Sequence, residues 1–128
     1  MLELEIPIPP SVNSYWRAIP NKTKGGGVRG ARNILSAAAR EYRTTVLRQL
    51  APLGLKPLTG RLALVMEVCA HTRRAFDLDN ILKGSWDALT YAGVWQDDEQ
   101  IDRYTVIRGT PGAGVIRVTV QEIPKHDT

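Results

Sequence analysis

Asp77, Asp79, Lys83, Asp97 and Asp98 are the residues of this 128-residue chain whose types and spacing point to chemistry. Asp77 and Asp79 are two positions apart, and in an extended segment ahead of a helix both carboxylates project to the same side. Asp98 lies beyond the helix that should follow. About 13 helical residues measure ~20 Å. Asp98 therefore comes near Asp77 only if the returning strand pairs beside the strand that ends near Ala70. Three carboxylates drawn together repel one another unless a cation sits between them. Aspartate oxygens with few nitrogen or sulfur donors suit a hard ion, Mg2+ with Mn2+ as a substitute, over zinc. Lys83 follows Asp79 by four residues, on the same helical face. A lysine beside metal-bound carboxylates activates a water or steadies charge on a phosphate oxygen. The set fits metal-assisted phosphodiester hydrolysis. Each piece also has a plainer reading. Asp-X-Asp before a helix serves as a cap and a surface acid, Asp79 with Lys83 makes an ordinary ion pair, and Asp97-Asp98 is turn chemistry. Spacing alone leaves both readings open.

The elements that must position these groups follow from periodicity. Leu2, Leu4, Ile6 and Ile8 alternate with Glu3, Glu5 and Pro7, which predicts a half-buried edge strand ended by Pro9-Pro10. Residues 17–33 hold Gly25-Gly26-Gly27, Gly30 and basic residues without an acid, and read as a mobile surface loop. Ala39, Tyr42, Val46 and Leu50 fall at helical spacing over 35–50. Leu62, Leu64, Met66, Val68 and Ala70 predict a central strand. A second helix is expected over 79–92, with Ile81, Leu82, Ser85, Ala88, Leu89 and Ala92 inward, Asp77 or Asp79 as cap and Gly93 as its left-handed stop. Strands over 101–107 and 115–123, joined by Gly-Thr-Pro-Gly, read as a hairpin. The whole is one α/β (α+β) domain over 1–128: a small mixed sheet with two main helices on one face.

Charge is segregated along the chain. Eight basic residues and one acid lie between Arg17 and Arg48, while seven of the 13 acids lie between Asp77 and Asp102. A basic half suited to phosphates thus faces an acidic knot that phosphates would avoid, a conflict that a cation resolves. Net charge is +4 and the composition, 43% hydrophobic and 23% charged, is that of an ordered globular domain. The longest uncharged apolar run, Leu62 to Met66, is far short of the ~20 residues of a membrane span. The first residues do not form a signal peptide. The single cysteine, Cys69, excludes an internal disulfide and a cysteine-built zinc cage, and points to a reducing cytoplasm.

Two stretches resemble a known family. They are Pro9-Pro10-Ser11-Val12-Asn13-Ser14-Tyr15-Trp16-Arg17, and the pattern Asp77-Leu78-Asp79-Asn80, Lys83, Asp87-Ala88-Leu89, Ala92-Gly93-Val94, Asp97-Asp98, Gln100-Ile101. In order, length and motif the chain is similar to the RusA family of Holliday junction resolvases, crossover junction endodeoxyribonucleases. The resemblance implies a small homodimeric α/β protein that needs magnesium and nicks two opposing strands of a four-way DNA junction. It maps the family's acidic residues onto Asp77, Asp79 and Asp98, with Asp97 alongside, and its essential lysine onto Lys83. Phosphate contacts are expected from Arg17, Lys22, Lys24 and Arg29 on charge alone, and from Arg73 and Arg74 beside the carboxylates. Phe76 is either a packing residue or a wedge against bases at the branch. Trp86 and Trp95 read as packing or dimer contacts, Cys69 as a small buried hydrophobe, and Asp87 as a partner of Lys83. Two other classes compete. A non-catalytic basic DNA-binding module would need the arginines and not the carboxylates. A sugar-nucleotide transferase could use Asp-X-Asp, but Gly25-Gly26-Gly27 lacks the strand and spacing of a phosphate cradle.

Overall fold

The computed structural model describes residues 1–11, 16–22, 28–73 and 76–124, with 16–22 and 28–33 described by their backbone only. The chain runs β1 (Leu2–Pro7), β2 (Trp16–Lys22), β3 (Val28–Leu35), α1 (Ala37–Leu50), β4 (Leu62–Cys69), α2 (Leu82–Tyr91), β5 (Ile101–Arg108) and β6 (Val115–Glu122). Short 3₁₀ turns occupy Ala51–Leu53, Leu78–Ile81 and Asp98–Gln100. The main sheet has the order β1-β6-β4-β5, antiparallel throughout except where β4 and β5 pair in parallel. β1 is an edge and β4 is central, as their sequences predict.

The inward face of this sheet carries Leu4 and Ile6, Leu62, Leu64, Met66 and Val68, and Ile116, Val118 and Val120, all buried. They meet Tyr42, Val46 and Leu50 of α1 and Ile81, Ala88 and Leu89 of α2 in one core with Val94 and Trp95. Full burial of such a side chain contributes about 1.5–3 kcal/mol. Ser36 caps α1, its hydroxyl accepting from the Ala39 N–H at 3.1 Å. The four residues predicted to face inward on α1 are the four that are buried. α2 stops at Gly93, whose φ of +81° is open to glycine and costly for other residues.

Three expectations are corrected. Residues 17–33 do not form a loop throughout: β2 and β3 pair antiparallel as a separate two-stranded ribbon, from Trp16 opposite Leu35 to Lys22 opposite Val28, with an irregularity between Pro20 and Lys22. The ribbon is joined by backbone pairing, which a basic, glycine-rich composition does not betray. Second, β5 and β6 do not form a hairpin. β4 lies between them, and residues 109–114 step across its end, the Gly109 N–H donating to the Val68 carbonyl (2.9 Å) and the Gly112 N–H to that of Ala70 (2.7 Å). β5 is mostly exposed, as suits an edge, whereas β6 buries Ile116, Val118 and Val120. Residues 79–92 are not one α-helix either: Leu78–Ile81 is a 3₁₀ turn that leads into α2.

Candidate active site

Asp77 ends the connection from β4 in extended conformation, with φ −86° and ψ 130°, and stands at the N-terminus of the 3₁₀ turn. Its carbonyl accepts from the Asn80 N–H at 3.1 Å, but its side chain makes no cap hydrogen bond. The carboxylate is therefore not spent on capping. Asp79 already belongs to the turn, so the two carboxylates are displayed by a strand-to-turn junction and not by one extended face. Both are exposed. Lys83 is exposed in the first turn of α2.

Asp97 and Asp98 are built into a different kind of place. Asp97 caps the turn before β5, its carboxylate accepting from the Glu99 N–H at 2.9 Å. Gln100 closes the capping box, and it is buried. Its carboxamide oxygen accepts from the N–H groups of Gln96 (2.8 Å) and Asp97 (2.9 Å), and its nitrogen donates to the carbonyls of Leu58 and Gly60, both at 2.9 Å. Every hydrogen-bonding position of that carboxamide is thereby used. Arg61 braces the turn from outside, donating to Asp102 at 2.6 Å, to the Glu99 carboxylate at 3.0 Å and to the Glu99 carbonyl at 2.7 Å.

Electrostatics separate the two carboxyls of the turn. Burial pushes the Asp98 carboxyl up, its hydrogen bond with Asp97 adds to the rise, and the charge of Lys83 draws it part of the way back. Asp97 is held below the usual carboxylate range by the Glu99 N–H and then by Asp98. The two carboxyls titrate as a pair, with Asp98 the one that takes up a proton first.

The structure brings Lys83 into electrostatic reach of Asp98. β5 pairs in parallel beside β4, so the turn that precedes β5 comes back alongside α2. Among the described residues, no three Asp, Glu, His or Cys side chains converge to hold a metal ion.

Phe76 is half-buried against the core. Arg108, at the end of β5, lies over its ring at 4.6 Å and donates to its carbonyl at 2.6 Å. Arg108 was not singled out in the sequence, and no spacing rule would have found it. Arg73 is exposed. Arg74 and Lys24 lie outside the described residues, as do Asn13 and Tyr15, and Arg17, Lys22 and Arg29 are placed only as backbone of β2 and β3. Asp87 pairs with Arg43 of α1 at 3.3 Å. Trp95 is buried, with its N–H on the Thr90 hydroxyl, and Trp86 packs edge-on to Tyr104, so both serve packing. Cys69 is buried as expected.

A family model described as "Endodeoxyribonuclease RusA" matches residues 7–121. This chain belongs to the RusA family. Relatives named crossover junction endodeoxyribonuclease RusA include one of Enterobacteria phage HK97, 37% identical over 123 residues that cover 92% of both chains. Another, of Enterobacteria phage 82, is 33% identical over 94% of this chain and 93% of its own. A third, of Escherichia coli strain K12, is 32% identical over 94% and 93%. The RusA match takes in both the strand-to-turn junction at Asp77 and the acidic turn at Asp98.

Proposed function

We propose that this chain is a magnesium-dependent endodeoxyribonuclease that recognises four-way DNA junctions and resolves them by paired nicks as a homodimer. The observation that carries the reading is family membership along nearly the whole chain, shared with relatives named for crossover junctions. The donor chemistry supports a hard divalent cation. Asp77 offers a carboxylate that takes no part in capping, Asp79 an exposed one two residues on, and the Asp97 and Asp98 carboxyls lie within hydrogen-bond reach of each other. Asp77, Asp79 and Asp98, with Asp97 alongside, would hold the ion, which when bound supplies Lewis-acid polarisation of the phosphate and a water of lowered pKa.

The protein's own groups do the rest. Lys83 steadies the negative charge that grows on the phosphate oxygens and helps to orient the attacking water. Arginines and lysines grip neighbouring phosphates, which fixes the strand in register. Hydrolysis forms a bond from the water oxygen to phosphorus and breaks the bond to the 3′ oxygen, leaving a 5′-phosphate and a 3′-hydroxyl. Lys83 stands four residues after Asp79 and within electrostatic reach of Asp98, which supports one site in each protomer. A two-fold dimer makes two such sites, matching two opposed cuts.

A labelled four-way junction tests the reading. Cleavage into nicked duplexes with magnesium and none with chelator is expected, with junction binding kept in both. Binding alone, with or without magnesium, would leave a non-catalytic DNA-binding module.

A further inference from the structure

A pocket of about 270 Å³ opens beside the Asp77–Asp79 junction. Ile8 and Pro9 after β1, Val68 of β4, and Phe76, Asn80 and Ile81 form its walls. Phe76 precedes the two aspartates and Asn80 follows them, so the pocket lies against the residues proposed for cleavage. The lining is mostly apolar, and its volume falls just under the range of roughly 300–1,000 Å³ typical of whole-ligand sites. Asn80 places a donor and an acceptor at this wall, and its carboxamide has no hydrogen-bond partner among the described residues.

Phe76 is shared by two cavities. The guanidinium of Arg108, 4.6 Å from the ring centre, lines the smaller, a groove of about 160 Å³ that Arg73 also lines. The larger is the pocket above, which neither arginine lines and where Ser11, His71 and Thr72 are the polar neighbours of Asn80. A cationic groove next to a mostly apolar pocket with a few polar groups matches a nucleotide: phosphate in the groove, base in the pocket. Phe76 offers that base an aromatic ring to stack on.

We infer that this pocket receives one unstacked nucleobase of the strand to be cut, stacked on Phe76 and read at its edge by Asn80. The inference rests on the nuclease reading above and adds to it a determinant of where the strand is cut. An asparagine carboxamide pairs well with a base edge that offers one donor and one acceptor. Bases at a branch point are already partly unstacked, which lowers the cost of extrusion.

The test uses full-length protein, magnesium and four-way junctions that differ only in the bases flanking the exchange point. Wild-type protein is expected to favour one base at a fixed offset from the cut by about tenfold, within the reach of one bidentate edge contact. Asn80→Ala should compress that ratio to under about threefold. Ala70→Leu, which fills the pocket from the end of β4, should slow the favoured junction more than the others. An abasic residue at the discriminated offset, cut by wild-type protein, should be no better than a disfavoured base, and this arm needs no variant to fold. Cleavage without base preference, an unchanged ratio in folded Asn80→Ala, or rapid cutting of the abasic junction each overturns the pocket while the nuclease reading stands. No cleavage of any junction by wild-type protein overturns both.

Discussion

The two acidic turns of this protein are made to different specifications. The turn at Asp97 and Asp98 is fixed from within by the four hydrogen bonds of Gln100 and from outside by Arg61. The junction at Asp77 and Asp79 has only a backbone turn, with both side chains exposed. One is a rigid anvil, the other a pair of donors with room to adjust. A metal site assembled from both can take its precision from the first and its adaptation to DNA from the second.

The sharpest way to break this comparison is to divide it between subunits. Asp77→Asn, Asp79→Asn and Asp98→Asn should each abolish cleavage, with junction binding kept or improved as repulsion from phosphates falls. Mixing Asp77→Asn with Asp98→Asn should leave cleavage abolished, because each protomer supplies all donors of its own site. Recovered cleavage in the mixture, with subunit exchange shown by mass, would divide the donors between two protomers. Next in size is Lys83. Lys83→Ala should lose at least about a hundredfold in single-turnover cleavage of a pre-bound junction, with an unchanged melting temperature. Lys83→Arg, which keeps charge and presents a fixed fork, should also be impaired. Near-normal rates for both would remove Lys83 from the mechanism.

Gln100→Ala probes the anvil itself. It orphans backbone groups that Gln100 satisfies, at a cost of about 1–3 kcal/mol in stability, read by denaturant unfolding. The smallest effect belongs to Arg61. Its hydrogen bond holds the Asp102 carboxyl below its ordinary value. The folded state therefore binds that proton more weakly than the unfolded chain, so the contribution is complete above the unfolded carboxylate pKa of about 4 and is lost as pH falls through the folded value. Asp102→Asn should flatten the acid limb of the stability curve, seen in melting scans below about pH 4. An identical acid limb would show the pair to be without weight.

Much of this was legible in the sequence, for identifiable reasons. Ala39, Tyr42, Val46 and Leu50 announced α1 because helical burial has a period that local sequence records. Gly93 announced the end of α2 because few other residues accept its backbone angle. The motif around Asp77 and Asp98 named the family before any geometry was known. What stayed hidden was pairing. Nothing local in 101–107 says that its neighbour is β4 and not β6, since register is decided by which strand fills which gap. The ribbon of β2 and β3 was hidden likewise, because Gly and Arg give no alternation to read. The place of the Asp98 turn beside α2 follows from that register, and spacing alone could not supply it.

The place of β6 carries a consequence for how the molecule comes into being. It follows every other described strand in sequence, yet it sits between β1 and the central β4. Until residues 115–122 emerge from the ribosome, β1 has no partner and β4 presents a bare edge. Pairings between distant parts of a chain form slowly, and open edges invite other chains. The nascent protein must therefore hold its N-terminal strand in waiting until β6 slots in beside it.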